Sequence, residues 1–260
     1  MYIKGSNESL NAIEDDGLIV DNKLDMVFND GLEETRNFLS SFNNQIQILS
    51  HSLQNENIIS ITKTLRKNDS FLNQIIFHLS HLERNPFFNK KKHVKEEYDQ
   101  ILISNKICTQ SFIAVKNEGD GNCLFRAVSQ NTLGTEEFHK ILRILTVFVI
   151  IENFKFFLSI SESKKDFFNY VENIAQNRSF AGEIEEMALS YIFKRSIINY
   201  SIFPTLEFFC INEKKRFLKE PILIIFDSLK LHFSSILKKE KNHEYEFSRP
   251  THTVFDSRLG

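Results

Sequence analysis

Apolar residues recurring at steps of three and four dominate the first third of the chain. Leu39, Phe42, Ile46, Leu49 and Leu53 keep the spacing that places side chains on one stripe of a helix. After a slip between Gln54 and Asn57 the rhythm resumes through Ile58, Ile61, Leu65, Leu72, Ile75, Leu79 and Leu82, with Asn68 as the polar seam position. The pattern predicts a helical extension over residues 32–95. It fits a helical hairpin packed on the rest of the molecule, or a coiled coil with a stutter that self-associates, because seam spacing alone does not say whose surface covers the stripe. Pro86 ends the periodic stretch, and the Lys90-Lys91-Lys92 run marks a boundary.

From about residue 100 to 245 the periods are mixed. Thr109 to Lys116 reads as an extended entry, Gly119 to Asn122 as a tight turn, and Leu124 to Thr132 as a helix ended by Gly134. Thr135 caps a predicted helix running through Ile160. Ser163 with Asp166 signals the start of a third helix, and Gly182 to Lys194 reads as a fourth. Strand patterns come last: Ser196 to Phe203, Ile222 to Phe226 and His232 to Leu237, the latter two joined by a turn at Asp227-Ser228. Helices followed by strands predict an α+β architecture with a small sheet. Residues 1–31 carry seven acids and no sustained period, so they read as an acidic, unstructured lead-in, and 246–260 as a tail.

Composition narrows the function classes. The chain has 260 residues, 42% hydrophobic and 25% charged, the ordinary globular mix. Its formal net charge of -2 offers no global attraction to nucleic acid or anionic lipid. The longest apolar run, Ile144 to Ile151, is far short of the roughly 20 residues that span a bilayer, and no secretory leader is visible, so no membrane partner and a cytoplasmic setting (nucleus not excluded) are expected. Cys108, Cys123 and Cys210 stand at no metal-ligand spacing and fit a reducing compartment. His78 and His81, near Glu83, lack a third ligand at diagnostic spacing, so neither metal nor other cofactor is expected. Gly119-Asp120-Gly121 lacks the later glycine and the Lys-Ser/Thr pair of a phosphate loop. Lysines and arginines at 214–216 and 238–241 read as solvated surface.

Glu118-Gly119-Asp120-Gly121-Asn122-Cys123 is the stretch that carries chemistry, since a glycine-flanked turn there delivers a cysteine to the first position of a helix. Amides left unpaired by such a turn can bind a developing oxyanion, and a helix N-terminus favours a thiolate. An inert cysteine starting a buried helix is the structural alternative.

The longer string Gly119 to Ala127, reading Gly-Asp-Gly-Asn-Cys-Leu-Phe-Arg-Ala, resembles the signature of the ovarian tumour (OTU) family of cysteine proteases, which remove ubiquitin. Further blocks follow in family order. His139-Lys140-Ile141-Leu142-Arg143 is similar to a helix motif of His, two variable positions, Leu and Arg. Phe180-Ala181-Gly182-Glu183 is similar to a Trp-Gly-Gly-Glu block leading into Ala188-Leu189-Ser190. Pro221-Ile222 with His232-Phe233 is similar to the closing strand pair.

The resemblance implies a papain-like fold in which Cys123 is the nucleophile, His232 the general base, and Asp120 the residue whose amide joins that of Cys123 in the oxyanion hole. It also implies ubiquitin or ubiquitin chains as partner, cleavage of isopeptide bonds after ubiquitin's C-terminal glycine, and no cofactor. Phe180 and Ala181 depart from the Trp and first Gly of their block. Ser234 stands where the family places Asn or Asp to orient the histidine; Asp227 and Asp256 are candidate substitutes, and His243 and His252 competing candidates for the base. Ser234 motivates an alternative, a catalytically weak module that grips ubiquitin; a coiled-coil scaffold built on the N-terminal helices is another.

Overall fold

The computed structural model describes residues 31–104, 106–107, 109–161, 163–201, 206–208, 219–239 and 253–254. Residues 1–30 of the acidic lead-in, Cys108, Cys210, residues 214–216, Lys241, His243, His252 and Asp256 lie outside the described residues.

Residues 31–41 form α1, followed by α2 (Asn43–Ser52), α3 (Ile58–Lys67) and α4 (Asp69–Ser80). The periodic stretch is therefore four short helices, and polar residues mark two of its breaks. Asn57 accepts from the Ser60 amide at 3.0 Å to start α3, and Asn68 donates to the Thr64 carbonyl at 2.8 Å between α3 and α4. The stripe is covered from within the chain: Leu39, Leu49, Leu65, Leu72, Ile75 and Leu79 are buried in one hydrophobic core with Phe125, Leu145, Val171 and Leu189. At about 25 cal/mol per Å² of apolar surface removed from water, such a shared core couples the extension to the rest of the molecule.

Beyond Leu82 the chain crosses onto the sheet. Phe87 bridges Lys238 and Lys95 bridges Val115, and the seven-residue α5 (Glu97–Ile103), which the sequence pattern does not predict, follows. β1 (Phe112–Val115) leads through the glycine turn into α6 (Cys123–Leu133), which ends on Gly134 at φ 70°. The predicted helix from Thr135 to Ile160 begins instead at His139 and is two helices, α7 (His139–Glu152) and α8 (Phe154–Ile160). Asn153 breaks it by donating its side-chain amide to the Val149 carbonyl at 2.9 Å while its backbone leaves helical geometry. Then come α9 (Phe167–Ile174), α10 (Glu183–Phe193), β2 (Ile197–Ser201), β3 (Leu206–Phe208), β4 (Ile222–Asp227), β5 (His232–Lys238) and β6 (Thr253–Val254). The last lies in the stretch read as a tail.

The fold is α+β, a sheet in the order β1-β5-β4-β2-β3-β6 between helices. β4 and β5 form the expected hairpin, whereas β2 and β4 run parallel. One face, carrying Ile222, Ile224 and Phe233, packs on α6, α7 and α10; the other, carrying Leu223, Ile225 and Ile236, packs on Ile103 of α5. Asn131, buried in α6, donates to the carbonyls of Leu223 (2.9 Å) and Ile236 (2.5 Å), joining that helix to both strands of the hairpin. No helix among the described residues is long and apolar enough to cross a membrane.

Candidate active site

Two sequence features fix the turn before α6. Gly121 sits at φ +81°, and a Cβ there would stand 1.9 Å from the Arg178 carbonyl oxygen, so only glycine fits. Asp120 folds its carboxylate back inside the turn. Its Oδ1 accepts from the Asn122 amide (3.0 Å) and Arg126 Nε (3.1 Å), its Oδ2 from Arg126 Nη2 (2.8 Å) and Asn122 Nδ2 (2.9 Å). Burial works against the charge, but the bonds from Arg126 and Asn122 prevail and hold the carboxyl well below the usual carboxylate range. Its side chain is a brace, which leaves the Asp120 backbone amide for any role toward substrate. No described carbonyl accepts from the amides of Asp120 or Cys123.

Arg143, from the middle of α7, clamps the same turn. Nη2 donates to Gly121 O (2.9 Å), Asn122 Oδ1 (2.8 Å) and Ser179 O (2.7 Å), Nη1 to Ile174 O (2.9 Å), and Nε to Asn122 Oδ1 (3.1 Å). Its guanidinium lies 4.4 Å from the Phe125 ring centroid. The Arg of the His-x-x-Leu-Arg block thus ties α7, the turn that presents Cys123 and the loop after α9 into one unit.

Cys123 opens α6, 4% exposed. Burial pushes its thiol up, and the amides of Phe233, Leu124 and Cys123 itself pull it only part of the way back. The expectation that a helix start makes this thiol ionise readily is reversed in the resting site, because desolvation outweighs the helix amides. Phe233 follows His232 in β5, so the strand bearing the histidine touches the sulfur's surroundings. The His232 ring lies against the same turn: a Cβ on Gly119 would be 3.6 Å from its Nδ1 and 3.7 Å from Cε1. Asp120, Cys123 and His232 are brought together by the β1–α6 turn and the start of β5. His232 is half-buried; Cys123 lies under the Phe226–Phe233 side of the sheet, which Phe180 lines at centroid distances of 6.1 and 6.2 Å. Phe180 keeps an aromatic wall where the family block has Trp.

Asp99 is a site neighbour that the sequence pattern does not single out. This carboxylate in α5 is 1% exposed, on the sheet face opposite the helical core. Lys230 Nζ lies 4.0 Å from Asp99 Oδ1, 3.3 Å from Asp227 Oδ2 and 3.6 Å from Glu96 Oε1. Asp227 pairs directly opposite His232 in the β4–β5 ladder. The signal that could have found Asp99 is a charge at the position facing inward, one turn before Ile103. Among the described residues no group of His, Cys, Asp and Glu is arranged to hold a metal ion.

A buried thiol at a helix start, in a glycine turn against which a histidine ring packs, is an arrangement that thiol chemistry can use. Residues 118–243, just under half of the chain, match the family model for the OTU-like cysteine protease. OTU domain-containing protein 5 of Rattus norvegicus is 25% identical over 134 residues, 51% of this chain and 23% of the relative. The Arabidopsis thaliana protein named OVARIAN TUMOR DOMAIN-containing deubiquitinating enzyme 7 is 31% identical over 78 residues, 30% of this chain and 21% of the relative. The matched stretch is less than a quarter of either relative's length. The solved OTUD1 OTU domain aligns at 23% identity and a TM-score of 0.44, covering 54% of this chain and 91% of that one.

Proposed function

We propose that the site is a deubiquitinating hydrolase that cleaves the isopeptide bond after ubiquitin's C-terminal glycine. The observation that carries the reading is the His232 ring packed against Gly119, in the turn that presents Cys123. The name of the Arabidopsis thaliana relative supports the substrate class.

Because burial keeps the resting thiol protonated, His232 acts first as general base, taking the proton as sulfur attacks the glycine carbonyl carbon. The carbonyl oxygen becomes an oxyanion held by the Asp120 and Cys123 amides. The C–N bond then breaks, the lysine amine leaves with the proton from His232, and a thioester remains. Water, deprotonated by His232, attacks that thioester; the C–S bond breaks, the glycine carboxylate is released and the thiol regains its proton. No step calls on a metal or organic cofactor.

Incubation with ubiquitin carrying a C-terminal electrophile tests the reading. A covalent adduct that forms with the chain and is lost in Cys123→Ala supports it. Binding without an adduct favours instead the weak, ubiquitin-gripping module, for which Ser234 in place of an orienting Asn or Asp is the specific argument.

A further inference from the structure

Position 234 holds a side chain too short and uncharged for the orienting role, yet its surroundings are strongly polar. Ser234 is fully buried and, two residues after His232, shares a strand face with it. In register, His232 opposes Asp227 and Ser234 opposes Ile225, whose side chain belongs to the cluster around Ile103 of α5. Asp99 stands one turn before Ile103. Burial raises its proton affinity, and the Ser234 hydroxyl that it faces lowers it only part of the way back. No described group makes a hydrogen bond of ordinary geometry with either Asp99 oxygen or with Ser234 Oγ. Buried polar atoms are rarely left without partners, so two such residues facing each other point to a shared role.

The neighbouring carboxylate is committed at one oxygen, its Oδ2 having the Lys230 ammonium beside it but no hydrogen bond of ordinary geometry. Asp227 Oδ1 accepts from the amides of Leu229 (3.0 Å) and Lys230 (3.3 Å), and Lys230 Nζ stands 3.3 Å from Oδ2. Among the described residues the cation nearest Asp99 is Lys230, at 4.0 Å. We propose that Asp99, acting through the Ser234 hydroxyl, is the carboxylate that orients His232, replacing the longer side chain that position 234 lacks. A serine hydroxyl both donates and accepts, so it links a carboxylate to an imidazole N–H where neither reaches the other directly. Asp99 is a positioning residue: it fixes the ring and favours the imidazolium formed during turnover, without touching substrate. The inference rests on the assignment of His232 as the base.

The charged and titratable groups around His232 are Asp227 and Lys230 from the hairpin, Glu96 and Asp99 from the α5 side, and Asp120 and Cys123 from the nucleophile turn. The test is an NMR titration of the His232 ring in the full chain, with Asp99→Asn, Ser234→Ala and Asp227→Asn compared at matched thermal stability. Asp99→Asn is expected to lower the His232 midpoint, the direction that follows from losing an opposite charge behind the ring. Ser234→Ala should shift it the same way, and Ser234→Asp added to Asp99→Asn should restore it. An unchanged midpoint in Asp99→Asn, or a larger shift from Asp227→Asn, overturns the proposal; if Asp99→Asn does not fold, an unchanged midpoint in Ser234→Ala does. The titration needs no turnover, so failure of the wild type to label with ubiquitin would overturn the functional reading and leave this one still decided by the ring. Where turnover is measurable, kcat falls tenfold or more in Asp99→Asn with KM unchanged.

Discussion

Replacing Arg143 by Met removes the clamp on the turn before Cys123 while keeping most of the side-chain volume. Four acceptors lose the guanidinium: Gly121 O, Asn122 Oδ1, Ile174 O and Ser179 O. The contacts to Gly121 and Ser179 are partly open, so water can replace the guanidinium there; those to Asn122 and Ile174 are buried. Asn122 Oδ1 keeps the Arg178 amide at 3.3 Å, so Ile174 O is the buried acceptor stranded outright, which sets a loss of about 1–3 kcal/mol. Against a total stability of about 5–15 kcal/mol for a domain, that is a large fraction. Burial brings the Arg143 guanidinium down to about 10, which leaves it charged at neutral pH, so the variant also removes a positive charge near Cys123. Urea unfolding with Cys123 alkylation measured alongside reads both effects. Arg143→Lys, with a single nitrogen, should recover only part of the loss, because it cannot reach around the turn as the fork does. If Arg143→Met unfolds within about 0.5 kcal/mol of the parent, the change expected of an ordinary surface substitution, the clamp is not what holds the turn.

Gly121→Ala and Gly119→Ala form a discriminating pair. The first drives a methyl into the Arg178 carbonyl and is expected to abolish electrophile labelling, while the second meets His232 only at van der Waals distance and should keep labelling within about tenfold; labelling retained in Gly121→Ala would mean the turn is not the site. The raised thiol affinity means the folded chain holds its proton more tightly than the unfolded one, so substrate-free alkylation of Cys123 by iodoacetamide should keep accelerating above pH about 8.5, and the fold should lose stability there as pH climbs. A rate already flat below pH about 6 would indicate a preformed thiolate instead.

Local signals were the legible ones. The turn from Gly119 to Cys123, the Gly134 helix end and the β4–β5 hairpin are each decided by a few adjacent residues, and each stands where the sequence places it. The apolar stripe from Leu39 to Leu82 was legible as a stripe, but its cover was not, since α7, α9 and α10 supply it from residues about a hundred positions away. α5 escaped because seven residues hold too few turns to display a period. Asn153 was unremarkable in sequence, and only its bond back to Val149 divides the long helix. For the site, the cysteine and histidine could be picked out, whereas the direction of the thiol's proton affinity and the place of Asp99 depend on burial that exists only after the sheet closes over α5 and α6.

Asn131 sits eight residues beyond Cys123, or about 12 Å along α6 at 1.5 Å per residue. With its far end riveted to both strands of the hairpin, the helix can move its sulfur relative to His232 only by pivoting about that rivet. Small tilts there are amplified at the helix start, so substitutions well away from the cleft, at Leu223 or Ile236, would retune the spacing between the Cys123 sulfur and the His232 ring.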